Sequence, residues 1–172
     1  MPADRQIVGC LSTILLLACS AALAYGAVKA QFRARVVSIA DGDSITVLRG
    51  ERDQVRIRLR GIDAPERRQP FGSKARQFLG DLCAGQIVTI RQTDVDRYGR
   101  IVAEVVLPDG RVANHEIVRA GLAWWFRKYA PDDEFLAGLE SQARRAGRGL
   151  WSVANPIPPW DWRRGARAAS TE

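Results

Sequence analysis

Hydrophobic and polar residues alternate with a period of two in several short stretches of this chain and with a period of three to four in others. The first kind predicts half-buried strands over Phe32–Ile39, Ser44–Leu48, Val55–Arg60, Gln86–Arg91 and Ile101–Leu107. In the third, Val55, Ile57 and Leu59 point one way and Arg56, Arg58 and Arg60 the other, until Gly61 breaks the run and Pro65 prevents its return. Ala75, Phe78, Leu79 and Leu82 instead share one face of a helix stopped by Gly85. Asn114 is placed to cap a short helix ending at Gly121. Pro131 and Asp132 open another, with Phe135, Leu139, Ala143, Ala146 and Leu150 along one side. Strands joined by short turns, with a helix after the third strand and helices at the end, predict an α+β, mainly β fold. The expected architecture is a five-stranded OB-fold barrel with three helices.

Charge and the ends of the chain add to this picture. The 172 residues carry a formal net charge of +7, which favours polyanionic partners such as nucleic acid or an anionic membrane surface. Arg5 precedes an apolar run from Ile7 to Ala24, and Ala22-Leu23-Ala24 offers a small-x-small cleavage site. Residues 1–30 therefore read as a signal peptide or, since the run approaches a spanning length of about 20 residues, an N-terminal membrane anchor. The expected location is secreted or periplasmic, with membrane anchoring as the alternative. Residues 31–152 form the expected folded domain, and residues 153–172 a proline-rich C-terminal tail on which Trp160 and Trp162 offer anchors. Cys10 and Cys19 fall in the leader, leaving Cys83 without a partner in the remaining chain. A lone His115 and no Cys/His cluster argue against a zinc site.

Four stretches carry candidate chemistry: Asp41-Gly42-Asp43, Arg58, Asp63-Ala64-Pro65-Glu66 and Asp96-Arg97-Tyr98-Gly99-Arg100. Each has an ordinary structural reading, as a turn, a strand face, a strand end or a hairpin tip. Arg56 and Arg60 read as solvated face residues. One of Trp124 and Trp125 is expected in the core.

In order, D-G-D, R-L-R-G-I-D-A-P-E, D-R-Y-G-R and A-G-L-A-W resemble the staphylococcal nuclease (thermonuclease-like) family from about Val36 to Trp151. The resemblance implies an OB-fold barrel with three helices, calcium, and hydrolysis of DNA and RNA phosphodiesters to 3′-phosphate products. It matches Asp43 and Asp63 to calcium ligands, Ala64 to a backbone-carbonyl ligand, and Asp41 to an outer acid shaping the metal's water shell. It matches Arg58, Glu66 and Arg100 to catalytic residues, and Tyr98 and Tyr129 to residues lining the nucleotide site. Arg127 stands where the staphylococcal protein has a tyrosine, which would exchange a stacking contact for a phosphate contact. The leader and the proline-rich tail lie outside the resemblance.

These roles agree with the chemistry of the residue types. Ca2+ takes oxygen ligands from carboxylates, carbonyls and water. Each arginine can give a phosphate two parallel hydrogen bonds as charge builds on its oxygens. Glu66 can accept a proton from an attacking water or align it. The expected partner is single-stranded DNA or RNA, with duplex DNA also possible in such a site, acted on by a monomer. The alternative is a catalytically inactive OB-fold module that binds nucleic acid or protein.

Overall fold

The computed structural model describes residues 27–165. The leader's apolar run, its cleavage site, Cys10 and Cys19 lie outside the described residues, as does the segment beyond Gly165. Among the described residues no helix is long and apolar enough to cross a membrane.

Five strands close into a barrel in the order β1-β2-β3-β6-β5. They are β1 (Ala30–Ile39), β2 (Ser44–Arg49), β3 (Asp53–Leu59), β5 (Ile87–Val95) and β6 (Ile101–Val106). All neighbours are antiparallel except β3 and β6, which run parallel. Alternation along the strands sends Val36, Ile45, Val47, Ile57, Leu59, Val88, Ile90 and Val105 inward, each at most 1 % exposed. Helices α1 (Gly72–Cys83), α2 (Ala113–Arg119) and α3 (Glu134–Arg145) extend that core through Ala75, Leu79, Ile117, Val118, Leu136 and Leu139. A two-residue strand β4 (Ile62–Asp63) pairs with β7 (Trp124–Trp125), and a short helix α4 (Pro159–Arg163) follows in the tail. The barrel and the three longer helices are as the hydrophobic pattern predicts. The fourth helix is an addition, started by Pro159 at its first position, where a missing N–H costs nothing.

Several local expectations change. Asn114 caps nothing: it lies inside α2, buried, and its Oδ1 accepts from Val105 N at 3.0 Å while Nδ2 donates to the carbonyls of Arg60 and Ala103. It ties α2 to the end of β3 and to β6. The last helix starts after Asp133, whose carboxylate accepts from Leu136 N at 3.0 Å. Leu139 and Ala143 are buried as the stripe predicts, but at its start Leu136 takes the core position, while Phe135 is 51 % exposed and meets the His115 ring edge-on. Leu150 belongs not to α3 but to a separate 3-10 turn over Gly149–Ser152. Strand β5 runs four residues past Arg91, so only Asp96–Arg100 forms the hairpin tip.

Cys83 is buried, its thiol donates to the Leu79 carbonyl, and burial pushes its pKa up to about 12. That thiol packs as a small apolar group.

Two glycines shape the end of the barrel that matters below. Gly61 has φ +76°, a conformation that lets the chain leave β3 and re-pair at once as β4. Gly42 needs no unusual dihedral; it is required by crowding. A Cβ there would stand 2.7 Å from both the Ala64 and the Ala75 methyl carbons. The D-G-D turn can therefore press directly on the Asp63–Glu66 loop and on α1. Gly42→Ala should lower stability by about 1–3 kcal/mol, the usual cost of overpacking, read from the denaturation midpoint. Adding Ala64→Gly should recover part of the loss.

Candidate active site

The strand register assembles the site. Ser44 of β2 pairs with Arg58 of β3, and Leu59 N donates to the Asp43 carbonyl at 2.8 Å, so Asp43 is held beside the Arg58 side chain. Asp43 is buried. Its Oδ2 accepts the Ala64 N–H at 2.7 Å and lies 2.7 Å from Arg58 Nη1, while Oδ1 accepts from the Ser44 hydroxyl at 3.0 Å. Arg58 Nη2 donates to Asp63 Oδ1 at 2.9 Å. One guanidinium thus joins a carboxylate before β2 to a carboxylate in β4. Arg58 Nη1 is buried against the Asp43 carboxylate as an ion pair.

Asp41 accepts the Asp43 N–H at 3.1 Å. Burial, reinforced by the neighbouring Asp43 carboxylate, pushes its pKa up to about 7. Burial also raises Asp63, whose side chain is 1 % exposed, against the opposing pull of Arg163 and Arg58. Three acids crowded this closely favour cationic company. Asp41, Asp43, Asp63 and the Ala64 carbonyl offer oxygen donors alone, the chemistry that suits a hard cation such as Ca2+. In the arrangement described, the Asp43 and Asp63 carboxylates are instead engaged by guanidinium groups, and no three acidic, histidine or cysteine side chains among the described residues stand in a metal-holding cluster.

Arg100 reaches the same place from the other side. It immediately precedes β6, which runs parallel to β3, and its Nη1 lies 3.5 Å from the Ser44 hydroxyl. Asp96 fixes it. One Asp96 oxygen accepts the Tyr98 and Arg100 N–H groups at 2.9 and 3.0 Å, and the other accepts Arg100 Nε at 2.7 Å. The hairpin tip is therefore a built support. Arg56, expected on a solvated face, donates to the Tyr98 carbonyl at 3.0 Å and steadies that tip. Arg60 is likewise no solvated residue: its side chain is 13 % exposed and pairs with Asp133, the residue that caps α3.

Glu66 stands at the mouth, half-exposed, with its backbone N–H bonded to Gln69 Oε1 at 3.1 Å. Tyr98 and Tyr129 are 60 % and 64 % exposed and line the same cleft as Arg58, Asp63, Glu66 and Arg100. Arg127 also lines it, 4.6 Å above the Trp125 ring. Of the tryptophan pair, Trp124 is buried, at 3 % exposed, and Trp125 is half-buried against the core; both line the cleft.

All the residues singled out from the sequence meet at this end of the barrel. Four others complete it. Ser44 and Asp96 stand within or beside the motifs. Gln69 has no sequence signal. Arg163, from the tail, donates to Asp63 Oδ2 and to Glu66 Oε1, each at 2.7 Å. Its guanidinium pKa is raised: burial opposes the charge, and the bonds to the two acids outweigh it.

Comparison with known proteins agrees with this geometry. The family model described as staphylococcal nuclease homologue matches residues 56–153. A protein of Escherichia coli named an uncharacterized endonuclease is 46% identical over 134 residues, covering 78% of this chain and 86% of its own. A protein of Shigella flexneri named micrococcal nuclease is 44% identical over 150 residues, covering 82% and 86%. The Escherichia coli protein named ParB is 42% identical over 145 residues, covering 78% and 81%. The family-model match runs from within β3 to the 3-10 turn and includes Arg58, Asp63, Glu66 and Arg100, while β1, β2, Asp41 and Asp43 precede it; with relatives of this identity and coverage, the chain belongs to the staphylococcal nuclease homologue family.

Proposed function

We propose that this chain is an exported, calcium-dependent nuclease that hydrolyses phosphodiester bonds of DNA and RNA to 3′-phosphate products and works as a monomer. The observation that carries the reading is the convergence of Arg58, Arg100, Asp43, Asp63 and Glu66 in one cleft. A half-exposed carboxylate beside two guanidinium groups gives the cleft a proton acceptor as well as phosphate contacts, and binding alone calls only for the contacts.

Arg58 and Arg100 flank the cleft with guanidinium groups suited to the non-bridging oxygens of a phosphodiester. Each can make paired hydrogen bonds, and these strengthen as charge accumulates in the five-coordinate transition state. Glu66 is exposed enough to meet a water and takes its proton as the oxygen attacks phosphorus. The P–O5′ bond breaks opposite, the electron pair leaves on the 5′ oxygen, and the phosphate stays on the 3′ side. Asp43, Asp63 and the Ala64 carbonyl, with Asp41 acting through water, would hold Ca2+, which supplies charge neutralisation at the phosphate. Tyr98 and Tyr129 offer exposed rings for bases, and Arg127 a further phosphate contact. The positive net charge draws the polyanion toward the cleft.

Incubation with single-stranded DNA should give 3′-phosphate fragments with Ca2+ and none with a chelator; retention without cleavage in Ca2+ would contradict the proposal. Glu66→Ala and Arg100→Ala should each lower kcat by roughly 10²–10³ while leaving the thermal midpoint near its original value. Asp96→Ala should cost roughly 10–10² in kcat, since it removes no group from the substrate but releases Arg100 from its position. A wild-type rate for Asp96→Ala would show that the hairpin tip needs no such support.

A further inference from the structure

The proline-rich tail lies beyond the residues matched by the family model, yet its side chain Arg163 is in the site. A glutamate has several rotatable bonds, and Glu66 is half-exposed; among the described residues the only side chain bonded to its carboxylate is Arg163, at 2.7 Å. The same guanidinium reaches Asp63 Oδ2 at 2.7 Å and Oδ1 at 3.4 Å, the oxygen that also accepts from Arg58. Two arginines, one from β3 and one from the tail, thus converge on Asp63, and the second alone continues to Glu66.

Arg163 is itself held at several points. Pro159 is buried in the domain surface. The Trp160 ring lies parallel to Phe126 with centroids 5.3 Å apart and meets Trp124 edge-on at 6.4 Å. Gln69, also buried, donates through Nε2 to the Ile157 carbonyl at 2.6 Å while its Oε1 accepts the Glu66 N–H. The tail and the Glu66 loop therefore share one amide as well as one guanidinium. A solvated tail would have neither link.

We propose that Arg163 is a positioning residue for the reaction: the tail helix, seated by Trp160, uses it to hold the Glu66 carboxylate and Asp63 in working orientation, so that the C-terminal segment is part of the active site. The inference rests on the nuclease reading above. A base displaced by about an ångström can lose on the order of 10² in rate without any loss of substrate affinity. Arg163 would thus act on kcat through Glu66, in contrast to a phosphate-binding arginine, which would act on KM as well.

The test uses the full chain and a single-stranded DNA oligonucleotide with saturating Ca2+. Arg163→Gln and, independently, Trp160→Ala should each lower kcat roughly 10–10²-fold with KM changed less than about threefold. Arg163→Lys should recover part of the rate, and guanidinium added to Arg163→Ala should restore part of it. A merely structural role would not respond to either. A thermal midpoint close to wild type for Arg163→Gln keeps folding out of the result. Wild-type kcat in Arg163→Gln would overturn the inference while leaving the nuclease reading intact. So would an increased rate, the mark of an inhibitory contact, or a loss confined to KM. A wild-type chain that cleaves nothing would overturn both.

Discussion

The Asp43 carboxylate is the joint on which this end of the molecule depends. One of its oxygens is shared by the Ala64 N–H and the Arg58 guanidinium, each at 2.7 Å, and the other takes the Ser44 hydroxyl. Through those contacts it fastens the β1–β2 turn to the loop after β4 and to the outer face of β3. Burial makes such a joint decisive. A buried ion pair adds little net stability over apolar packing, but loss of one partner leaves an uncompensated charge costing about 3–5 kcal/mol. What Asp43 supplies is therefore placement. The absence of a side chain at Gly42 lets the turn come close enough for the contacts to form.

Around that joint the protein arranges cations from separate parts of the chain. Arg58 comes from a barrel strand, Arg100 from a hairpin tip clamped by Asp96, and Arg163 from the tail. Each is fixed by an acid, and each lines the cleft. The alternating basic strand Arg56–Arg60 contributes at three levels. Arg58 enters the site, Arg56 steadies the hairpin tip, and Arg60 ties the strand's end to the start of α3.

The barrel was legible in the sequence because its signal is local: two-residue alternation in five strands and glycines at their ends determine which side chains turn inward. The motif residues were legible for a different reason: each stretch alone reads as a turn, a strand face or a hairpin tip, and their order along the chain, with its resemblance to the staphylococcal nuclease family, marks them as a site. What could not be read were contacts made between distant segments. Asn114 has the residue type of a cap, and only the approach of α2 to β6 shows that its amide bridges strands. Phe135 fits the helical stripe as well as Leu136 does, and the angle at which α3 docks decides between them. The tail had proline and tryptophan to suggest anchoring. Nothing in its order indicated that Arg163 would reach acids 97 and 100 residues earlier.

If paired acids held by one rigid guanidinium make this a hydrolytic site, the geometry of Arg58 should count for more than its charge. Lysine keeps the charge but cannot span Asp43 and Asp63 while giving a phosphate a second donor. The deciding measurement is the cleavage rate of Arg58→Lys on single-stranded DNA at saturating Ca2+, with its thermal midpoint recorded beside it. The account predicts a fall in kcat of about 10² or more with the fold retained; a folded Arg58→Lys protein cutting at the wild-type rate would contradict it.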